Sequence, residues 1–308
     1  MNRFSRIAVL INQTSGTIKE LGDDPERIIT SAFQREGFDT MSMTIEAVPG
    51  SEIESAARKL LREEPELIVA GGGDGTVNLV VNLIHHTDTV LGILPLGTFN
   101  HFAQDSGIPQ DLGKAIRNLV KGVIKSVDVA EVNGHIFVNN SSVGIYPLSV
   151  TERKYQQKKL NIGKNLAMAL AILKTTFWFP RYSVTAESAD IAKTITSPAI
   201  FIGNNRYQLS PFKIGKRESV SEGILCGYAF ECTHHLCPLH FLFLLMFNQL
   251  RFSDKFIDFY FNEVKIYSAK KHLKVSIDGE VIKLKTPLHY RSHPKTLQII
   301  RSSDERDK

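Results

Sequence analysis

The sequence predicts an α/β chain in two parts, a parallel-sheet domain followed by a mostly antiparallel β-sandwich. Three observations predict it. The first third alternates short apolar runs with amphipathic segments, the pattern of strands covered on both faces by helices. A strand near residue 70 breaks into Gly71-Gly-Gly-Asp74-Gly75-Thr76 ahead of a helical stretch. Beyond Asp128 the pattern turns to hairpins, led by Asn133-Gly134 between two apolar runs, where both residues accept the positive φ of a type I′ turn.

Taken in order, Ile7 to Ile11 is a continuous apolar strand, and a helix starts near Pro25. Its inward face is Ile28, Ile29, Ala32 and Phe33, and Gly37 is placed to stop it,. The second strand falls at Thr40 to Ile45. Ser51 and Glu54 stand at capping-box spacing ahead of a helix with Ile53, Ala56, Ala57, Leu60 and Leu61 on one side, ending before Pro65,. Leu67 to Ala70 is a strand, and Val77, Val80, Val81 and Ile84 mark the helix after the glycines. Val90 to Leu94 is a strand and Asp111 to Lys121 a helix. The later strands are expected at Val127 to Val132, His135 to Asn139, Arg181 to Glu187, Ala199 to Gly203, Ile224 to Glu231, Val264 to Ser268 and Leu273 to Ile277,. A helix is expected over Leu160 to Phe179, and a frayed charged tail from Ser302. The domain division is set at residues 1–128 and 129–308, with the last strand returning to the first domain.

The chain has 308 residues, a formal charge of +5 and 43% hydrophobic residues, enough for a core in each part. A modest positive excess suits an anionic partner without choosing one. Three cysteines without a CxxC pair indicate neither a disulfide framework nor a zinc site. His234-His235 beside Cys232 and Cys237 fits no common zinc spacing. The N-terminus lacks a signal-peptide pattern, and Leu236 to Phe247, broken by Pro238 and His240, is short of the ~20 residues that span a bilayer. The expected location is the cytoplasm, with peripheral contact at the inner face of the membrane.

The glycine turn carries the chemistry. A strand ending in glycines lets backbone N–H groups approach phosphate oxygens, and the dipole of the next helix favours their charge. Gly72, Gly73, Gly75 and Thr76 are the cradle candidates, and a β-branched side chain there would occupy the phosphate's approach and oppose any positive φ. Asp74 makes sense beside phosphates as a holder of Mg²⁺ or water. A GxxxxGK(S/T) pattern is absent, and Thr76 stands where GxGxxG needs its last glycine. A second loop, Pro95-Leu-Gly97-Thr98-Phe-Asn100, again follows a strand, so both loops should face one crevice. Asn100 is equally well placed as a helix N-cap.

Together these loops resemble the diacylglycerol kinase catalytic domain family, which includes bacterial lipid kinases and sphingosine and ceramide kinases. Gly71 to Asn78 is similar to the family's GGDGTxNE, and Pro95 to Asn100 to its PxGTxND. Asn12, Ser15 and Gly16 match the NPxSG loop, with Gln13 in place of proline. Val127-Asp128 is similar to the aspartate opening the family's second domain, and Asp278-Gly279-Glu280 to its DGE. The resemblance implies ATP and Mg²⁺ as cofactors and a lipid hydroxyl, diacylglycerol-like or sphingoid, as acceptor. It implies Asp278 as general base with Glu280 beside it, Asp128 and Asp74 at the metal, and Asn12, Ser15, Gly97, Thr98 and Asn100 with the cradle glycines at the nucleotide. Leu79 and His101 replace two acids of these motifs, and Ser221-Glu222-Gly223 replaces an acidic DDG that binds structural Mg²⁺ in some bacterial members.

For Asp278 the residues alone give an ordinary Asp-Gly hairpin turn, and for Asp128 a strand residue bonded to backbone. His85 and His86 are expected as surface groups at a helix end. Lysines and Arg153 over 153–164, ahead of Phe177-Trp178-Phe179, could meet an anionic membrane. A lipid substrate is the partner expected, with a homodimer allowed and nucleic acid not expected. The competing readings are a soluble kinase of NAD kinase type and a catalytically impaired nucleotide or lipid binder.

Overall fold

The computed structural model describes residues 3–16, 18, 24–38, 40–144, 182–187, 192–208, 216–217, 219–231 and 253–302. The helix expected over 160–179, the basic run at 153–164, the Cys232 to Cys237 cluster and the tail beyond Ser302 lie outside them. The chain divides into two compact units. The first comprises Met1–Val129, Ser219–Glu222 and His293–Lys308, the second Ala130–Glu218 and Gly223–Ser292.

In the first unit the elements are β1 (Ile7–Asn12), α1 (Pro25–Arg35), β2 (Met43–Val48), α2 (Ile53–Leu61), β3 (Leu67–Gly72), α3 (Asp74–Ile84), β4 (Val90–Pro95), α4 (His101–Asp105) and α5 (Leu112–Lys121). The four strands run parallel in the order β2-β1-β3-β4. Every residue of β3 and β4 is buried, as strands covered on both faces require. α1 packs with α5, and α2 with α3. Ile29 and Phe33 of α1 join Ala115, Ile116 and Leu119 of α5 over Val9, Val69 and Leu94.

The local signals act largely as expected. Asp24 caps α1 by accepting the Arg27 N–H at 3.0 Å, and Pro25 fills its first turn. Gly37, at φ 78°, ends it while the Phe38 N–H bonds to Phe33 O at 3.1 Å,. Asp111 caps α5 through the Lys114 N–H at 2.9 Å. The Ser51/Glu54 box does not form. Glu52 is the cap of α2 without a side-chain bond, so Glu54 falls one position too early to reach back and pairs with Arg58 at 2.8 Å instead. The second strand starts three residues later than expected, because Thr40–Ser42 winds into a 3₁₀ turn first.

The second unit is antiparallel. A long strand β5 (Val123–Val132) enters it and turns at Asn133 (φ 48°) and Gly134 (φ 85°) into β6 (His135–Phe137). The following strands are β7 (Asn140–Gly144), β8 (Tyr182–Glu187), β9 (Ala192–Ser197), β10 (Ala199–Asn204), β11 (Leu225–Phe230), β12 (Phe256–Phe261), β13 (Glu263–Ser268), β14 (His272–Ile277), β15 (Glu280–Lys285) and β16 (Leu288–Arg301). One sheet has the order β12-β11-β10-β7-β14-β15, and the start of β16 pairs with β13, then β8 and β9. Val143, Ile200, Ile202, Val275 and Leu284 of the first sheet and Val184, Ile195, Ile266, Leu288 and Tyr290 of the second share one core. This is a β-sandwich. The end of β16 belongs to the first unit, where Ile299 pairs in parallel with Leu91 of β4. No helix among the described residues is long and apolar enough to cross a membrane.

Candidate active site

In the first unit, strand order changes direction between β1 and β3, and ligands of open parallel sheets collect at the carboxyl ends of the strands there. Three loops meet at that place. After β1, Asn12 donates from Nδ2 to Thr76 Oγ1 at 3.0 Å and accepts at Oδ1 from the Thr14 N–H and hydroxyl at 3.0 and 2.6 Å. The Ser15 N–H bonds to Asn12 O at 3.0 Å. A Cβ on Gly16 would lie 3.4 Å from Thr98 Oγ1, so the first loop borders the third.

The second loop is the glycine turn. None of Gly71, Gly72, Gly73 and Gly75 has a positive φ. The glycines supply room instead. A Cβ on Gly72 would collide with the Thr76 side chain, one on Gly73 would lie 3.3 Å from Gly97 Cα, and one on Gly97 would run into Gly73 Cα. The two glycine loops therefore touch backbone to backbone. Gly73 is the extended N-cap of α3, and its carbonyl takes the Thr76 and Val77 N–H groups at 3.0 and 3.1 Å. Asp74 and Gly75, the first two helical residues, have no preceding turn to accept their N–H groups, so these point to the open end with the helix dipole behind them.

In the third loop Asn100 adopts the left-handed region, at φ 51°. It occupies the N-cap position of α4 but makes no cap bond. Its buried side chain staples its own loop, accepting the Gly97 N–H at 3.0 Å and donating to Pro95 O, Gly97 O and Gln110 Oε1 at 3.1, 3.0 and 3.2 Å. The capping is done by Asp74, whose two carboxylate oxygens accept the His101 and Phe102 N–H groups at 3.2 Å each. His101 is exposed and stacks on Phe99, with centroids 5.5 Å apart.

Thus Asn12, Ser15, Gly72, Gly73, Asp74, Gly75, Thr76, Gly97, Thr98 and Asn100 are gathered at one strand end. Asn12, Asn100 and Asp74 use their polar atoms to build it. Asp128 is fully buried in β5, with its N–H on Val220 O at 2.9 Å and Oδ1 accepting the Lys295 N–H at 2.8 Å. Among the described residues no group of three His, Cys, Asp or Glu side chains is placed to hold a metal. His85 is half-buried rather than a surface group, and burial, then the neighbouring His86, lowers its pKa.

In the second unit Asp278 (φ 45°) and Gly279 (φ 88°) form the two-residue turn joining β14 to β15, with Ile277 opposite Glu280. Its carboxylate accepts the N–H groups of Val138, Asn139 and Asn140 at 2.8, 2.9 and 2.9 Å. The same segment is held by other side chains. The buried Arg217 donates to Val138 O and, at 3.1 Å, to Asn139 Oδ1, and Tyr207 donates to Asn139 O at 3.0 Å. Arg217, Tyr207 and Lys295 were not foreseen, because each acts on a residue remote in sequence.

Residues 6–132 match the family model described as the diacylglycerol kinase catalytic domain. Among curated proteins, diacylglycerol kinase of Bacillus subtilis (strain 168) is 34% identical over 144 residues, 46% of each chain. Diacylglycerol kinase of Staphylococcus carnosus (strain TM300) is 31% identical over 153 residues, 49% of this chain and 47% of that one. A probable lipid kinase, YegS-like, from Enterobacter sp. (strain 638) is 36% identical over 102 residues, 32% of this chain and 34% of that one. The chain spans about half the length of the first two relatives and about a third of the last. A solved structure titled a putative diacylglycerol kinase from Bacillus anthracis str. Sterne superposes with TM-score 0.73 at 18% identity, covering 98% of this chain and 97% of that one. Another, titled a diacylglycerol kinase of the same organism, gives TM-score 0.69 at 16% identity over 98% and 99%. Residues 6–132 resemble the diacylglycerol kinase catalytic domain family by sequence, and the chain shares the fold of these two solved structures over 98% of its length.

Proposed function

We propose that this chain is an ATP-dependent lipid kinase, transferring a phosphoryl group to a diacylglycerol-like or sphingoid hydroxyl. The observation that carries the reading is the paired-loop cradle, in which Gly73 and Gly97 meet without side chains in front of the first N–H groups of α3. This room and these donors fit phosphate oxygens, and Thr76 and Thr98 add hydroxyls beside them. For Mg²⁺ the first unit offers Asp74 at the cradle and the buried Asp128. So few carboxylates suit an ion that keeps its waters and is held largely by phosphates. When bound it neutralises phosphate charge; the chain's own residues position and orient the nucleotide.

Asp278 and Glu280 are the residues proposed for the hydroxyl proton. Three N–H donors already occupy the Asp278 carboxylate, so the exposed Glu280 beside it shares the role. The proposed location is the cytoplasm, with peripheral contact at the inner membrane face. Two observations favour a second reading, an impaired nucleotide or lipid binder: both oxygens of Asp74 are engaged by α4, and His101 stands where the PxGTxND motif that this loop resembles has an acid.

The test is thin-layer detection of labelled phosphate from ATP on a lipid extract. A labelled lipid product supports the kinase. Phosphorylation of NAD without any lipid product would replace it with the soluble-kinase reading, and ATP binding without turnover on any lipid would favour the impaired binder.

A further inference from the structure

The hairpin of β14 and β15 places like charges opposite one another. Lys274 faces Lys283, and His272 faces Lys285. Leu273, Val275, Ile277 and Leu284 point into the sandwich core, so by alternation these four basic residues share the other face, and all four are exposed,. Lys270 and Lys271, also exposed, lead into β14. Thr286 holds that turn beside the end of β15, donating its N–H to Lys271 O at 3.1 Å and its hydroxyl to Lys270 O at 2.8 Å. Lys270 lies over the Tyr182 ring, 4.8 Å from its centroid. Among the described residues no ion pair joins any of these five lysines to a carboxylate. The hairpin's acids, Asp278 and Glu280, are at its far tip.

Like charges directly opposite on a ladder oppose folding. Lysines on an edge strand blunt it against unwanted pairing, which accounts for Lys283 and Lys285. It does not account for Lys274, because β14 is an inner strand between β7 and β15. Lys274 and Lys283 are directly opposed, a spacing of about 5 Å between Cβ atoms, well within reach of one another's field at physiological salt. A flat anionic surface would relieve this repulsion and engage Lys274, Lys283 and Lys285 together.

We infer that the face carrying Lys274, Lys283 and Lys285, with Lys270 and Lys271 at its border, is a docking surface for an anionic bilayer. The inference rests on the lipid-kinase reading only in choosing a bilayer over another polyanion. Near an anionic surface each lysine contributes about 1 kcal/mol.

The test is sedimentation of the full chain, without nucleotide, with vesicles of phosphatidylcholine alone and of phosphatidylcholine mixed with phosphatidylserine. Residues 153–164 stay unchanged, so any binding lost belongs to the hairpin. The wild type is expected to bind the mixed vesicles only and to leave them as salt rises. Lys274→Gln with Lys283→Gln should weaken binding about 30-fold, and adding Lys271→Gln and Lys285→Gln about 10³-fold. The melting temperature of the double variant should hold or rise, since a repulsive pair is gone. Equal vesicle binding by the wild type and the folded double variant overturns the inference. So does binding to duplex RNA that is as tight as binding to vesicles and falls with the same substitutions. Because no turnover is measured, failure of the kinase reading and failure of this surface are read separately.

Discussion

Asp74-Gly75 in the first unit and Asp278-Gly279 in the second are the same dipeptide at the two candidate centres, and they are built differently. Asp74 opens a helix with ordinary backbone, and the glycines around it are needed for room, since Gly73 and Gly97 touch. Asp278 and Gly279 both adopt the left-handed region, and a Cβ on Gly279 would meet nothing within 4 Å. There glycine is needed for its φ. Both carboxylates receive backbone N–H groups, two at 3.2 Å for Asp74 and three at 2.8–2.9 Å for Asp278. An Asp-Gly step is therefore one sequence signal for two physical needs, and substitution can separate them.

The largest effect is expected at Asp278. Replacement by Asn turns an amide group toward the Val138 N–H and costs about 1–3 kcal/mol of stability. If Asp278 also takes the substrate proton, turnover per folded molecule drops ~10²–10⁴-fold, about 3–5 kcal/mol of barrier. Thermal melts and lipid phosphorylation on the same preparation check both. A lowered midpoint with unchanged specific activity would leave Asp278 as the residue that fixes the 138–140 segment and pass the proton role to Glu280.

The glycines sharpen the contrast at a smaller scale. Gly97→Ala should cost about 1–3 kcal/mol through overpacking and remove ATP binding measured by calorimetry, because Gly73 must retreat. Gly279→Ala should cost about 1–2 kcal/mol through backbone strain and leave ATP affinity unchanged. Asn, which tolerates the left-handed region, should largely rescue position 279 and not position 97. Rescue at both positions would mean that the cradle glycines serve a turn and not a close approach.

Signals that act between near neighbours in the chain were legible. The apolar run at Ile7 to Ile11, the Asp111 cap and the Asn133-Gly134 turn each work within a few residues, and each forms as expected. The meeting of the two glycine loops at one strand end followed from parallel topology, and the Asn12 loop joined them only through the resemblance. The roles of single polar atoms did not. Asn100 faces inward because Gln110 and two carbonyls of its own loop receive its amide, and the Lys295 N–H reaches Asp128 across 167 residues. β7 has no run of apolar residues to mark it, since Asn140-Ser-Ser is polar, yet it lies between two strands that satisfy its backbone. The Ser51/Glu54 pair shows the reverse, a local motif idle because its helix starts one residue late for it.

The smallest effect is expected at Asp74, and it decides whether the first centre holds a metal. Asn at this position keeps one carbonyl oxygen for the α4 N–H groups and gives up the other acceptor and the charge. At 3.2 Å, losing one such bond is worth about 0.5–1.5 kcal/mol, so the melting midpoint should fall by only a few degrees. The charge matters differently if Asp74 takes a coordination position of Mg²⁺. ATP affinity, titrated by calorimetry across Mg²⁺ concentrations, should then lose much of its dependence on the ion in the variant. A variant with the same small loss of stability and an unaltered Mg²⁺ dependence would make Asp74 a tie between two loops. The metal would then be held by phosphates and waters without it, and the two Asp-Gly steps would be alike after all in using their carboxylates for backbone.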